Sequence, residues 1–110
     1  MKIVQREFKS DGKRVVAYFV YCPGCERAHR FMVVNEAVPE QVWEFDGNME
    51  SPTFSPSLLM QTSEWDGHQW VRYACHSFLK NGVWEFLSDS THDLAGRDAP
   101  MVDFPENYRV

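Results

Sequence analysis

Cysteine is scarce in this 110-residue chain, with three residues and therefore an odd count. That excludes a framework of paired disulfides and leaves thiols free to hold metal in a reducing compartment. Long apolar runs are missing as well. The longest, Val15 to Tyr21, falls far short of the roughly 20 residues needed to cross a bilayer. Met1 to Glu7 has no signal-peptide h-region, so the expectation is a soluble, cytoplasmic protein with no membrane role. Positive charge is also in deficit. A formal net charge of −5 disfavours nonspecific attraction to a phosphate backbone, although Lys9, Lys13, Arg14, Arg27 and Arg30 in the first third keep a nucleic-acid-binding module as a minor alternative. Several catalytic signatures are absent: there is no His-Glu-x-x-His helix, no His-x-Glu paired with Pro-Cys-x-x-Cys, and no serine framed by nucleophile-elbow glycines.

What is present points to strands. Residues 1–110 suit one domain, small enough that a metal staple would add usefully to its stability. Aromatics are abundant, Trp43, Trp65, Trp70 and Trp84 among them. Ile3–Phe8 and Arg14–Tyr21 flank the turn residues Ser10-Asp11-Gly12, Ala28–Val34 reads as a further strand, and Val42–Phe45 as a short one. Asp46 to Ser57, interrupted by Gly47, Pro52 and Pro56, reads as an irregular surface loop. Asn81-Gly82 suits a type I′ hairpin turn, which pairs Lys80 with Val83, Leu79 with Trp84, Ser77 with Phe86 and Cys75 with Ser88. Asp89 or Ser90 can cap a single helical turn ended by Gly96. The expected fold is all-β, with at most one or two short helical turns, as a small antiparallel sheet or sandwich carrying a zinc knuckle.

The knuckle is Cys22-Pro23-Gly24-Cys25. Its spacing aims two sulfurs the same way, and a closed tetrahedral zinc site needs two more ligands. β-prone sequence on both sides argues against a thioredoxin-like pair, which sits at a helix start. The remaining candidates are Cys75, His29, His68, His76 and His92. Neighbours on a strand face opposite ways, so Cys75 and His76 cannot both reach one ion, and the hairpin register turns Cys75 to the drier face. The predicted ligands of Zn²⁺ are Cys22, Cys25, Cys75 and His92, with His29 and His76 as alternatives. His76, Ser77 and Asp89, or Asp89, Thr91 and His92, contain the residue types of a hydrolytic triad without its usual sequence context. If the protein is an enzyme, His76 and Asp89 are its candidate catalytic residues, beside an open metal position.

Cys22-Pro23-Gly24-Cys25 with His29, Ser51-Pro52-Thr53-Phe54-Ser55-Pro56-Ser57-Leu58, Cys75-His76-Ser77-Phe78 and Asp89-Ser90-Thr91-His92 with Leu94-Ala95-Gly96 together resemble a small uncharacterised zinc-binding domain family of tailed phages, prophages and bacterial gene clusters. Its members are often labelled ammonia monooxygenase, a membrane copper enzyme that this chain does not match. The resemblance implies a compact zinc domain and marks Cys22, Cys25, His29, Cys75, His76 and His92 as motif positions. Many relatives carry Cys where this chain has Ser90. The function expected from residues and resemblance together is a zinc-stabilised protein-interaction domain, phage-encoded and acting on a host or phage protein, as an inhibitor of host defence for example. A protein partner is favoured over nucleic acid, and a zinc-dependent hydrolase is the alternative.

Overall fold

Two tight turns organise the chain. The computed structural model describes residues 1–110 and contains eight strands and no helix: β1 (Ile3–Ser10), β2 (Lys13–Cys22), β3 (Arg27–Asn35), β4 (Glu44–Phe45), β5 (Phe54–Trp65), β6 (Trp70–Lys80), β7 (Val83–Phe86) and β8 (Asp98–Pro100). Asp11 and Gly12 adopt φ of 51° and 77°, and Asn81 and Gly82 adopt 49° and 75°. These positive pairs match the right-handed twist of the flanking strands. The second turn sets the expected register, with Lys80 opposite Val83, Leu79 opposite Trp84 and Ser77 opposite Phe86. No helix is long and apolar enough to cross a membrane.

The strands form two antiparallel sheets, β1-β2-β3 and β4-β5-β6-β7-β8. This is the all-β architecture anticipated, built without a helical turn: beyond β7, Ala95 N–H bonds His92 O and Arg97 N–H bonds Leu94 O in successive tight turns. The sheets close on an aromatic core. Phe31 of β3 stacks on Phe54 of β5 at 4.2 Å, and Phe54 stacks on Phe45 at 4.7 Å. Trp84 and Phe86 of β7 stack at 5.8 Å, and Trp84 is fully buried. Each such side chain contributes about 1.5–3 kcal/mol of apolar burial.

One segment differs from expectation in a way that matters for the site. Residues 46–53 form the expected loop, in which Asp46 Oδ1 accepts from the N–H groups of Asn48 and Thr53. Those bonds hold the exposed Asp46 carboxyl below its ordinary range. From Phe54 onward, however, the chain is strand, with Pro56 and Ser57 inside it. Proline is tolerated there because β4 pairs only as far as Ser55, and the pairing with β6 shifts register between Phe54 and Leu58. β4, conversely, is shorter than the expected Val42–Phe45.

β6 continues past its partner β7, and side chains complete its edge. Thr91 N–H and Oγ1 bond Ala74 O, and Thr91 Oγ1 accepts from Ala74 N–H. Ser90 Oγ accepts from His76 N–H and donates to His76 O, while Leu87 N–H bonds the same oxygen. The stretch after β7 is thereby laid along β6, with Asp89 near His76 and His92 near Cys75.

Candidate functional site

Adjacent residues of β6 serve opposite faces of the sheet. Cys75 points inward and is fully buried, whereas His76 is half-buried on the outer face. The inward face gathers one cluster and the outward face another.

The inner cluster contains Cys22 at the end of β2, Cys25, Cys75 and His92. Their ligand atoms all lie within 4.8 Å of one another. A tetrahedral zinc with Zn–S bonds near 2.3 Å sets sulfurs about 3.7 Å apart, so the four residues are close enough to hold a metal ion. The knuckle closes on itself through Cys25 N–H to Cys22 Sγ at 3.4 Å and Glu26 N–H to Cys22 O at 2.8 Å, with Glu26 at φ 55°. His92 Nε2 lies 3.4 Å from Cys75 Sγ, and its ring stands edge-on to Phe86 at 4.6 Å. Leu94 N–H lies 3.2 Å from His92 Nδ1, which fixes the orientation of the ring beside Cys75. Gly24 is essential to this approach. A Cβ there would stand 2.3 Å from His92 Cε1 and 2.5 Å from each ring nitrogen.

Crowding splits the thiol acidities. The hydrogen bond with Cys22 holds the Cys25 thiol far below its ordinary range, and Cys75 and His29 add to the depression. The same bond, from its other side, pushes the Cys22 thiol up to about 12. The Cys75 thiol is also raised, chiefly by Cys22 and then by Cys25. The cluster accommodates one thiolate and resists the next two, a charge pattern that a divalent cation would relieve.

Of the alternative ligands, His29 lies beside Cys25 without being one of the four residues whose ligand atoms converge, and His76 lies apart. His29 is buried edge-on to Trp84 with Nε2 unpartnered, and His76 faces the other side of the sheet. His68 is exposed in the turn whose N–H groups bond Asp66.

On the outer face, Ser57 Oγ lies 3.2 Å from His76 Nε2, and His76 Nδ1 lies 3.0 Å and 3.3 Å from the two carboxylate oxygens of Asp89. Both ring nitrogens are engaged, one by a hydroxyl and the other by a carboxylate. This is the geometry in which the carboxylate fixes the proton on Nδ1 and leaves Nε2 to accept one from the hydroxyl. The His76 side chain is 26% exposed and that of Asp89 56%, so water reaches the group. Trp43 Nε1 donates to Ser57 O at 3.4 Å, anchoring the backbone of the hydroxyl-bearing residue.

Ser57 and Ser90 complete the outer-face cluster, and sequence reasoning assigned neither to it. Ser57 belongs to a Pro-rich stretch read as loop and has no flanking glycines. Only the pairing of Leu59 with His76, two residues farther along β5, sets it diagonal to the imidazole. Ser77, the hydroxyl next to His76 in sequence, points inward, fully buried with Oγ unpartnered. The signal for Ser90 lay in the run Asp89-Ser90-Thr91-His92, where its hydroxyl supplies the bonds that hold Asp89 beside His76.

The chain belongs to the family described as bacterial ubiquitination-like system serine protease (BubE), which it matches over residues 2–87. No functionally curated protein and no solved structure matches it.

Proposed function

We propose that this protein is a serine hydrolase of peptide-like acyl bonds, with Ser57 as nucleophile, His76 as general base and Asp89 as the group that orients and stabilises the imidazole. The observation that carries the reading is the unbroken chain from Ser57 Oγ through His76 Nε2 and Nδ1 to Asp89. The description of its family as a serine protease supports the same reaction class. In the first half-reaction His76 Nε2 takes the hydroxyl proton as Ser57 Oγ bonds the acyl carbon. It returns that proton to the leaving amine as the scissile bond breaks. Water, deprotonated by the same nitrogen, then releases the acyl group and restores Ser57.

Cys22, Cys25, Cys75 and His92 fit zinc through their donor set, three sulfurs and one imidazole. When bound, zinc would join the knuckle after β2 to β6 and to the segment carrying Asp89. Four protein ligands leave no position for water, and His76 and Asp89 lie on the other face, so the hydrolysis drawn here runs through serine rather than metal. The protein partner expected from the sequence becomes, in this reading, the acyl substrate, a host or phage protein. A zinc-stabilised interaction domain is the second reading, favoured by Trp65, Trp70 and Tyr73, which are 57%, 70% and 43% exposed near one hairpin tip.

The deciding experiment is labelling with an alkyl fluorophosphonate followed by peptide mass spectrometry. Modification of Ser57 that disappears in Ser57→Ala and in His76→Ala, with zinc content unchanged, supports the hydrolase. Absence of adduct on Ser57 in the folded, zinc-loaded protein would remove it.

A further inference from the structure

The strand that carries Ser57 has one empty edge. β5 pairs with β6 along Leu58–Trp65, whereas β4 covers its other side only at Phe54 and Ser55. Which backbone groups face that edge follows from the bonding of β6. Ala74 and His76 spend their N–H and C=O groups on Thr91, Ser90 and Leu87, away from β5. The alternate residues Cys75 and Ser77 therefore face β5, opposite Met60 and Leu58. Leu59 and Gln61 lie between those bonded positions, so their N–H and C=O groups turn outward to the edge that no strand covers. Leu59 itself is 49% exposed.

Beside that edge runs a groove of about 410 Å³ lined mainly by apolar side chains, including Met32 of β3, Trp43, and Leu58 and Leu59 of β5. Trp43 marks the end nearest Ser57, bonding Met32 O through its own N–H and Ser57 O through Nε1. A row of outward N–H and C=O groups is complementary to another extended backbone, and an apolar groove beside it takes a side chain.

We infer that the acyl substrate binds as an extended peptide that adds a strand to the free edge of β5, pairing its backbone with Leu59 and Gln61, seating an apolar side chain in the groove at Trp43 and Met32, and so delivering its scissile carbonyl to Ser57. This inference rests on Ser57 being the nucleophile. It assigns the substrate class as unfolded or tail-like polypeptide with an apolar residue near the cleaved bond, and it makes backbone pairing a determinant of specificity.

The test uses trileucyl diphenyl phosphonate, which reports arrival at Ser57 by covalent adduct, together with analogues N-methylated at one amide at a time. Alkyl fluorophosphonate serves as the probe of Ser57 itself. Strand pairing uses alternate amides, so methylation at alternate positions slows adduct formation by about tenfold, the worth of one backbone hydrogen bond, and methylation between them does not. In Leu59→Pro, which removes an outward N–H that would donate to a peptide carbonyl without touching the bonds to β6, adduct formation by the unmethylated peptide phosphonate slows by a similar factor. Equal rates for all methylated analogues in the wild-type protein overturn the inference, as does a peptide phosphonate that reacts no faster than the alkyl probe. Failure of every probe, the alkyl one included, rejects Ser57 as nucleophile and is thereby told apart from failure of the edge. A dimer in light scattering that must dissociate before the peptide reacts would give the edge to a second copy and likewise overturn it.

Discussion

Gly24→Ala is the sharpest perturbation of the metal cluster, because its effect can be worked from distances. The new Cβ would lie 2.3 Å from His92 Cε1, so the imidazole must retreat by about 1 Å to reach ordinary contact. Metal–ligand bonds tolerate deviations of about 0.2 Å, and zinc would therefore lose its nitrogen ligand while the three sulfurs stay in place. Structural zinc sites bind with about 10–16 kcal/mol in all. One ligand of four is then worth about 3 kcal/mol, and zinc affinity should fall by about two orders of magnitude. Competition against a chromophoric chelator at fixed pH reads that loss directly, and the cobalt-substituted protein should show a shifted d–d band. A double-mutant cycle with His92→Ala isolates the mechanism: in the His92→Ala background, Gly24→Ala should cost almost nothing further. Additive losses, or zinc affinity within threefold of wild type in Gly24→Ala alone, would refute the argument that glycine is there to admit the imidazole.

Three further outcomes follow from the same geometry. Crowding raises the Cys22 and Cys75 thiols and lowers the Cys25 thiol. Zinc binding near pH 7 should therefore release about two cysteine protons, so affinity rises with pH and falls as the thiols are reprotonated on acidification; calorimetry in buffers of different ionisation enthalpy counts them. Ser90→Ala leaves the half-buried His76 N–H without its partner and should destabilise the fold by about 1 kcal/mol in urea while slowing Ser57 labelling, because Asp89 is no longer held to His76. Trp84→Ala empties the centre of the aromatic core and should cost about 3–5 kcal/mol in the same denaturation.

The knuckle and the second hairpin show how far local chemistry reaches. Asn81-Gly82 fixes its own turn, since both residues accept positive φ, and period-two alternation then decides that Cys75 faces the core and His76 faces out. Those rules turn Cys75 inward and aim the two knuckle sulfurs together, but the meeting of Cys22 and Cys25, at the end of β2, with Cys75 in β6 joins the two sheets and is set by their packing. β5 obeyed no such rule. A proline followed by serine signals a break when read alone, and the strand exists only because β6 offers a partner and a register shift absorbs the proline.

Turn chemistry and alternation act over a few residues, so the sequence by itself determined an all-β chain, the faces of the second hairpin and the Cys22–Cys25 knuckle, while both His92 and His29 stayed open as its last partner. Tertiary structure alone decided that Ser57 meets His76 and Asp89. Those residues belong to two paired strands and to the segment laid along β6, and pairing between distant strands is set by the packing of whole sheets, which no local spacing encodes.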